Sequence, residues 1–170
     1  ASGDPKPYEL ISMSPAGALA ATGDDMARFM LAHLNNGSYA GAQILKPETA
    51  RTMHGRVYPV PDGTLAMGLG FYHEDRNGYD IVGHGGDTVY FHSDLHLILD
   101  KGVGFYVTQN SAGKPGQGIR GPLFKAFMDR YFPAPAKTSQ PTLKTAKQDG
   151  ALIAGNYDVS RRSDSNMLRI

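Results

Sequence analysis

The chain has 170 residues, 41% hydrophobic and 19% charged, a balance that suits a soluble domain with a small appendage and excludes a disordered tail or a fibre. Lys and Arg number 17 against 16 Asp and Glu, a net charge of +1, and no basic stripe interleaves with aromatics, so nucleic acid is not an expected partner. No apolar run approaches the ~18 residues of a membrane helix, and the absence of cysteine removes disulfides, thiolate nucleophiles and Cys-type zinc sites.

Residues 1–15 carry Pro5, Pro7 and Pro15 without a sustained period and read as an extended entry segment. Thr22-Gly23-Asp24-Asp25 has the form of a capping box, and Met26, Phe29, Met30 and Leu34 follow at helical spacing. Asn35-Asn36-Gly37 supplies a left-handed stop, which predicts a helix over about 23–35. Pro47, preorganised for a first helical position, starts a second helix that runs to about Met53. After Met67 the period becomes that of strands. Gly68–Glu74 and Tyr79–Gly83 flank Asp75-Arg76-Asn77-Gly78, where Asn-Gly favours a hairpin because both residues tolerate positive φ. Tyr90–Leu99 and Val103–Gln109, joined by Asp100-Lys101-Gly102, complete a four-stranded antiparallel meander. Ile119, Leu123, Phe127 and Tyr131 then give a helix near 117–131 one apolar face, with Pro122 in its first turn. The expected fold is α/β of the α+β type: a small helical region, then the meander, with this helix on one sheet face. Pro133–Asp149 has linker composition, and Ala151–Ile170 holds too few large apolar residues to close a core alone.

The densest chemical constellation is Val82-Gly83-His84-Gly85-Gly86-Asp87 at a strand end. Glycines there let a backbone approach a ligand closely, exposed N–H groups can hold a developing oxyanion, and a histidine can donate or carry a proton. The competing reading assigns the glycines to a β-bulge and a tight bend that His84 merely covers. A rival chemistry uses His92, Asp94 and His96, which period-2 geometry places on one strand face. Two imidazoles and a carboxylate can bind a divalent metal, with His84 or His54 as a further ligand. Against it, Leu95, Leu97 and Leu99 claim the inner face and leave these three on a polar outer one. Phe29, Met30, Phe124, Phe127 and Met128 read as core, and Arg161-Arg162 as part of a solvated turn.

Several short motifs stand in a particular order: Ser14-Pro15-Ala16-Gly17-Ala18-Leu19, Thr22 to Phe29, Ile44-Leu45 before a short helix, Gly68-Leu69-Gly70-Phe71, His84-Gly85-Gly86, and a strand ending Val107-Thr108-Gln109-Asn110. Over about residues 14–132 this order resembles the second half of the serine β-lactamase and penicillin-binding-protein-like hydrolases, which include class C β-lactamases, DD-peptidases and esterases. The resemblance implies an incomplete β-lactamase-like fold in which His84 contacts the substrate carboxylate or the proton relay and the Asp87 N–H is one oxyanion-hole donor. Gly85 stands where the family usually has a hydroxyl residue, which points away from β-lactam carboxylate recognition and toward a peptidase-like or esterase-like relative.

The family's other two motifs are missing. No Tyr-x-Asn occurs, and the sole Ser-x-x-Lys is Ser111-Ala112-Gly113-Lys114. Pro115 and Gly113 oppose the helical turn that would aim Lys114 at Ser111, so the match is a coincidence of a loop. The expectation is therefore a fragment of an acyl-serine hydrolase of an ester, D-amino-acid peptide or β-lactam, without cofactor, whose nucleophile and lysine lie in an absent N-terminal half. A non-catalytic binding module of the same fold is the alternative. The sheet face opposite the 117–131 helix normally meets helices of that absent half, so self-association through this face is expected. Gly155-Asn156-Tyr157 with Ser160-Arg161-Arg162 resembles the opening strand of a following β-rich domain. The family's usual setting is the periplasm or cell exterior.

Overall fold

A computed structural model describes residues 4–12, 14–60, 64–111, 118–136 and 141–157. The chain divides into two compact units, Ala1–Pro135 and Ala136–Ile170. In the first, α1 (Gly23–Leu34) opens at the expected capping box. The Thr22 hydroxyl accepts from the Asp25 N–H at 3.2 Å, and the Asp25 carboxylate accepts from the Thr22 N–H at 3.1 Å. The helix stops where Asn36 and Gly37 turn left-handed, at φ 51° and 88°. A small hairpin of β1 (Ser38–Tyr39) and β2 (Ala42–Gln43) leads to α2 (Pro47–His54), which starts on its proline as predicted.

The main sheet follows: β3 (Ala66–Met67), β4 (Tyr72–Arg76), β5 (Tyr79–Asp87), β6 (His92–Ile98) and β7 (Val103–Gln109), neighbouring in chain order and antiparallel throughout. The meander thus has five strands rather than four, since the two residues of β3 pair with His73 and Tyr72. Asn77 and Gly78, at φ 57° and 81°, close the β4–β5 hairpin in two residues. A single 3₁₀ turn, Leu99–Lys101, joins β6 to β7.

Helices cover both sheet faces. On one, Phe71, Val82, Leu95 and Leu97 pack against Met26, Met30 and Leu34 of α1 and Met53 of α2. On the other, Ile81 and Ile98 pack against Phe124 and Met128 of α3 (Arg120–Tyr131). Fully burying one such side chain stabilises by about 1.5–3 kcal/mol. The face expected to stand bare for helices of an absent half therefore carries α1, whose Met26, Met30 and Leu34 recur every fourth residue and reach the sheet. The outward side of α1 keeps Phe29 and Leu31 exposed.

In the second unit, α4 (Ala146–Ile153) lies across the boundary between the expected linker and the expected β-rich segment. Ala146, Ala151, Leu152 and Ile153 are good or adequate helix formers. Gly155-Asn156-Tyr157 forms no strand, and Arg161-Arg162 lies outside the described residues.

Candidate active site

The site is built on β5, whose two halves have different neighbours. Pairing with β4 runs from Tyr79 to Gly83 and ends there, whereas pairing with β6 continues unbroken from Val82 to Asp87. His84, Gly85, Gly86 and Asp87 therefore have β6 along one edge and no paired strand along the other, among the described residues. In an antiparallel strand alternate residues direct both N–H and C=O to the same side, so this free edge presents backbone donors and acceptors. His84 and Gly86 are exposed, and the His84 ring stacks on Tyr72 of β4 with centroids 4.6 Å apart and planes 18° apart. The β-bulge reading of the glycines is not what forms, because the register through them is regular.

The glycines themselves divide by cause. A Cβ on Gly83 would run into the Leu95 carbonyl, and one on Gly85 would meet the Asp94 carboxylate oxygen at 2.5 Å. Close packing with the β6 backbone requires Gly83 to be glycine, whereas a side chain at Gly85 would displace the Asp94 carboxylate. A Cβ on Gly86 would meet nothing within 4 Å. No described residue requires Gly86 to be bare, and its bareness keeps the strand face beside His84 open.

Two groups that sequence reasoning missed, Arg120 and Glu9, together with His92, which it read as a metal ligand, hold this end of β5 and its loop. Arg120, the first residue of α3, donates to the Asp87 carboxylate at 2.6 Å and to the carbonyl of Ser93 at 2.8 Å, and its Nη1 lies 3.5 Å from the Gly86 carbonyl. His92 Nδ1 meets the same Asp87 oxygen at 2.6 Å. Glu9, from the entry segment, accepts from the Val89 and Tyr90 N–H groups at 2.8 and 3.1 Å and so fixes the β5–β6 loop. The Thr88 hydroxyl beside Glu9, followed by those two N–H groups, holds its carboxyl below the usual range. The Arg120 and Glu9 contacts have no local sequence signature, because Arg120 lies 33 residues from Asp87 and Glu9 lies 80 from Val89, whereas His92 lies only five residues from Asp87.

The rival metal set separates. His92 is taken by Asp87, and Asp94 faces Arg120 at 3.8 Å. His96 stacks on Phe124 with ring centroids 3.6 Å apart. Among the described residues no group of three or more His, Cys, Asp or Glu could hold a metal. His92, Asp94 and His96 do share a face, but it is the one α3 covers rather than a solvated outer face. Burial under Phe124, reinforced by Arg76, lowers the His96 pKa to about 4. Burial raises that of Asp94, with Arg120 opposing. Beside α3 this face leaves a hollow of about 500 Å³ lined by Tyr72, Glu74, Arg76, Gly85 and His96.

Ser111 lies two residues past the end of β7 and its carbonyl accepts from Gln109 Nε2 at 2.7 Å, while Ala112, Gly113 and Lys114 lie outside the described residues. No described helix is long and apolar enough to cross a membrane. A comparison with curated proteins found no match. The family model named beta-lactamase matches residues 1–127, which is more than half of the chain and spans the whole sheet together with His84 to Asp87. With its helix–sheet–helix layering and a His-Gly-Gly strand whose edge stands free, the chain belongs to the beta-lactamase family.

Proposed function

We propose that this chain is the His-Gly-Gly-bearing part of a serine hydrolase that works through an acyl-serine intermediate on an ester, a D-amino-acid peptide or a β-lactam. The observation that carries the reading is the overrun of β5: four residues continue past β4, with an exposed imidazole, a bare Gly86 and a free backbone edge. An acyl carbonyl laid along that edge would find N–H groups positioned for the oxyanion, the Asp87 N–H among them, where each donor contributes about 10²–10³ in rate. His84 would contact the substrate carboxylate or the proton relay. Arg120 and His92, gripping the Asp87 carboxylate, keep the strand end from moving as charge develops.

A serine hydroxyl attacks the acyl carbon and loses its proton to a lysine one helical turn away; the alcohol or amine departs protonated, and water then frees the acid and restores the serine. No Tyr-x-Asn is in this sequence, and its one Ser-x-x-Lys, Ser111-Ala112-Gly113-Lys114, carries the Gly113 and Pro115 that oppose a helical turn. The reading therefore assigns both motifs to further polypeptide, which would also cover the exposed Phe29, Leu31, Met67 and Tyr72. An extracytoplasmic setting accompanies the reading. The same missing motifs favour a second one, a binding module that keeps the cleft without turnover.

The two separate in one experiment. The chain is extended through its upstream coding sequence and assayed with a chromogenic ester, a D-alanyl peptide and a chromogenic cephalosporin. Hydrolysis of any of them, reduced about 10²–10⁴-fold by His84→Ala with unchanged melting temperature, supports the hydrolase. Binding without turnover, or an upstream sequence lacking Ser-x-x-Lys, overturns it in favour of the module.

A further inference from the structure

Behind the β3–β4 edge, away from the cleft, three histidines are packed into the interior: His33 of α1, His54 of α2 and His73 of β4, exposed by 3%, 7% and 2%. His33 Nδ1 and His54 Nε2 lie 2.9 Å apart, so one imidazole N–H donates to the other ring's lone pair. Phe29 and Phe71 wall the pair, with ring centroids 4.5 Å from His33 to Phe29, 5.2 Å from His33 to Phe71 and 5.3 Å from His54 to Phe71. This contact joins α1 to α2. The end of α2 is in turn stitched to β3, since the Leu69 N–H donates to the Met53 carbonyl at 2.9 Å and the Val57 N–H to the Met67 carbonyl at 2.8 Å.

We propose that the His33–His54 contact is an acid-released latch: it holds α1 and α2 together while at least one ring of the pair is neutral, and lets α2 with its β3 attachment swing away when both rings carry a proton. Two imidazolium ions have no lone pair to share, and at this separation inside an aromatic wall their repulsion is weakly screened. The charged groups facing the pair are few. Arg51 comes from α2 itself and Asp100 from the turn after β6, both lining a hollow of about 410 Å³ beside the rings. His73 comes from β4, where its Nδ1 meets the Asp80 carboxylate of β5 at 3.0 Å, and Arg56 pairs with the same carboxylate at 2.9 Å. Asp80 is thus engaged by His73 and Arg56, which leaves Asp100 as the carboxylate lining the hollow.

The direction of the pH response follows. Burial, then His33 and His73, lowers the His54 pKa from 6.5 to about 4, and burial lowers that of His33. The folded state binds fewer protons than the opened one, so the latch is at full strength above about pH 6.5 and weakens as pH falls toward about 4. The inference does not depend on what the cleft hydrolyses.

Amide hydrogen exchange of the 170-residue chain between pH 7 and 5, with intrinsic rates divided out, tests it. The expected result is an opening of Ala50–His54 accelerated roughly tenfold or more at pH 5, and His54→Gln, which keeps a hydrogen-bonding group but cannot titrate, reducing that acceleration to about a third or less. An acceleration in His54→Gln equal to that of the parent, or none in the parent, overturns the latch. Should the variant fail to fold at pH 7, an NMR titration of the unmodified chain decides: proton uptake at the pair that coincides with the shift of the α2 amides supports the latch, and uptake that leaves those amides unmoved refutes it.

Discussion

Within the nine residues of β5, Tyr79–Gly83 and His84–Asp87 are opposite in character. The first half is paired with β4 throughout, and at Val82 and Gly83 with β6 as well, and it contributes Ile81 and Val82, exposed by 0% and 2%, one to each core. The second half keeps one edge free, exposes its histidine, and is held by polar contacts to Arg120 and His92 at the strand end. The difference teaches that regular strand geometry serves two purposes here: hydrophobic burial fixes the position of the first half, and that rigidity carries the second half out beyond β4.

The largest expected effect is on the buried half. Phe124→Ala removes the ring on which Ile81 and His96 rest and should cost about 3–5 kcal/mol in a urea titration, enough to threaten the fold of this unit. A loss near 1 kcal/mol would mean that α3 is not what seats β5. Next, Gly83→Ala drives a methyl into the Leu95 carbonyl and should cost about 2–3 kcal/mol, whereas Gly86→Ala, three residues along the same strand, should stay within about 0.5 kcal/mol. Equal penalties for the two would erase the distinction between the halves.

Acid should then expose the α3 face. His96 has its folded pKa lowered to about 4, below the 6.5 of an exposed imidazole. Its neutral form favours the folded state, so its contribution is complete above about pH 6.5 and is lost as pH falls toward about 4. By itself His96 should remove about 2 kcal/mol of stability between pH 7 and 5, in addition to the contribution of His54, and His96→Gln should reduce the slope by that share. The smallest of the destabilising effects concerns the open half. Arg120→Ala should cost about 1 kcal/mol, since Asp87 is half solvated, while the amide of Gly86 loses protection by more than the global loss accounts for. Uniform loss across the sheet would show Arg120 to be an ordinary surface contact.

Local chemistry in the sequence accounts for much of this architecture. The Thr22–Asp25 cap, the proline start of α2 and the Asn77-Gly78 turn each act within four residues, so the residues involved announce them. Long-range balances are different. That α1 lies on the sheet, that β5 overruns β4, and that Arg120 and Glu9 brace Asp87 and the neighbouring loop all depend on partners tens of residues away. The His-Gly-Gly triplet was legible as chemistry, but why Gly85 is bare was not: the Asp94 carboxylate that occupies its space arrives from β6 only after the hairpin forms. His96 was misplaced for a related reason. Alternation with Leu95 and Leu97 correctly put it on the opposite face, yet nothing local states that Phe124 covers that face.

The central claim, that His84–Asp87 is a presented edge rather than part of the sheet's interior, is tested most directly by residue-resolved amide exchange along β5 at neutral pH. The account predicts slow exchange at Val82 and Gly83, which pair on both edges, and, between His84 and Asp87, fast exchange at those amides that point away from β6. Uniformly slow exchange through Asp87 would contradict it, because the edge would then already be covered.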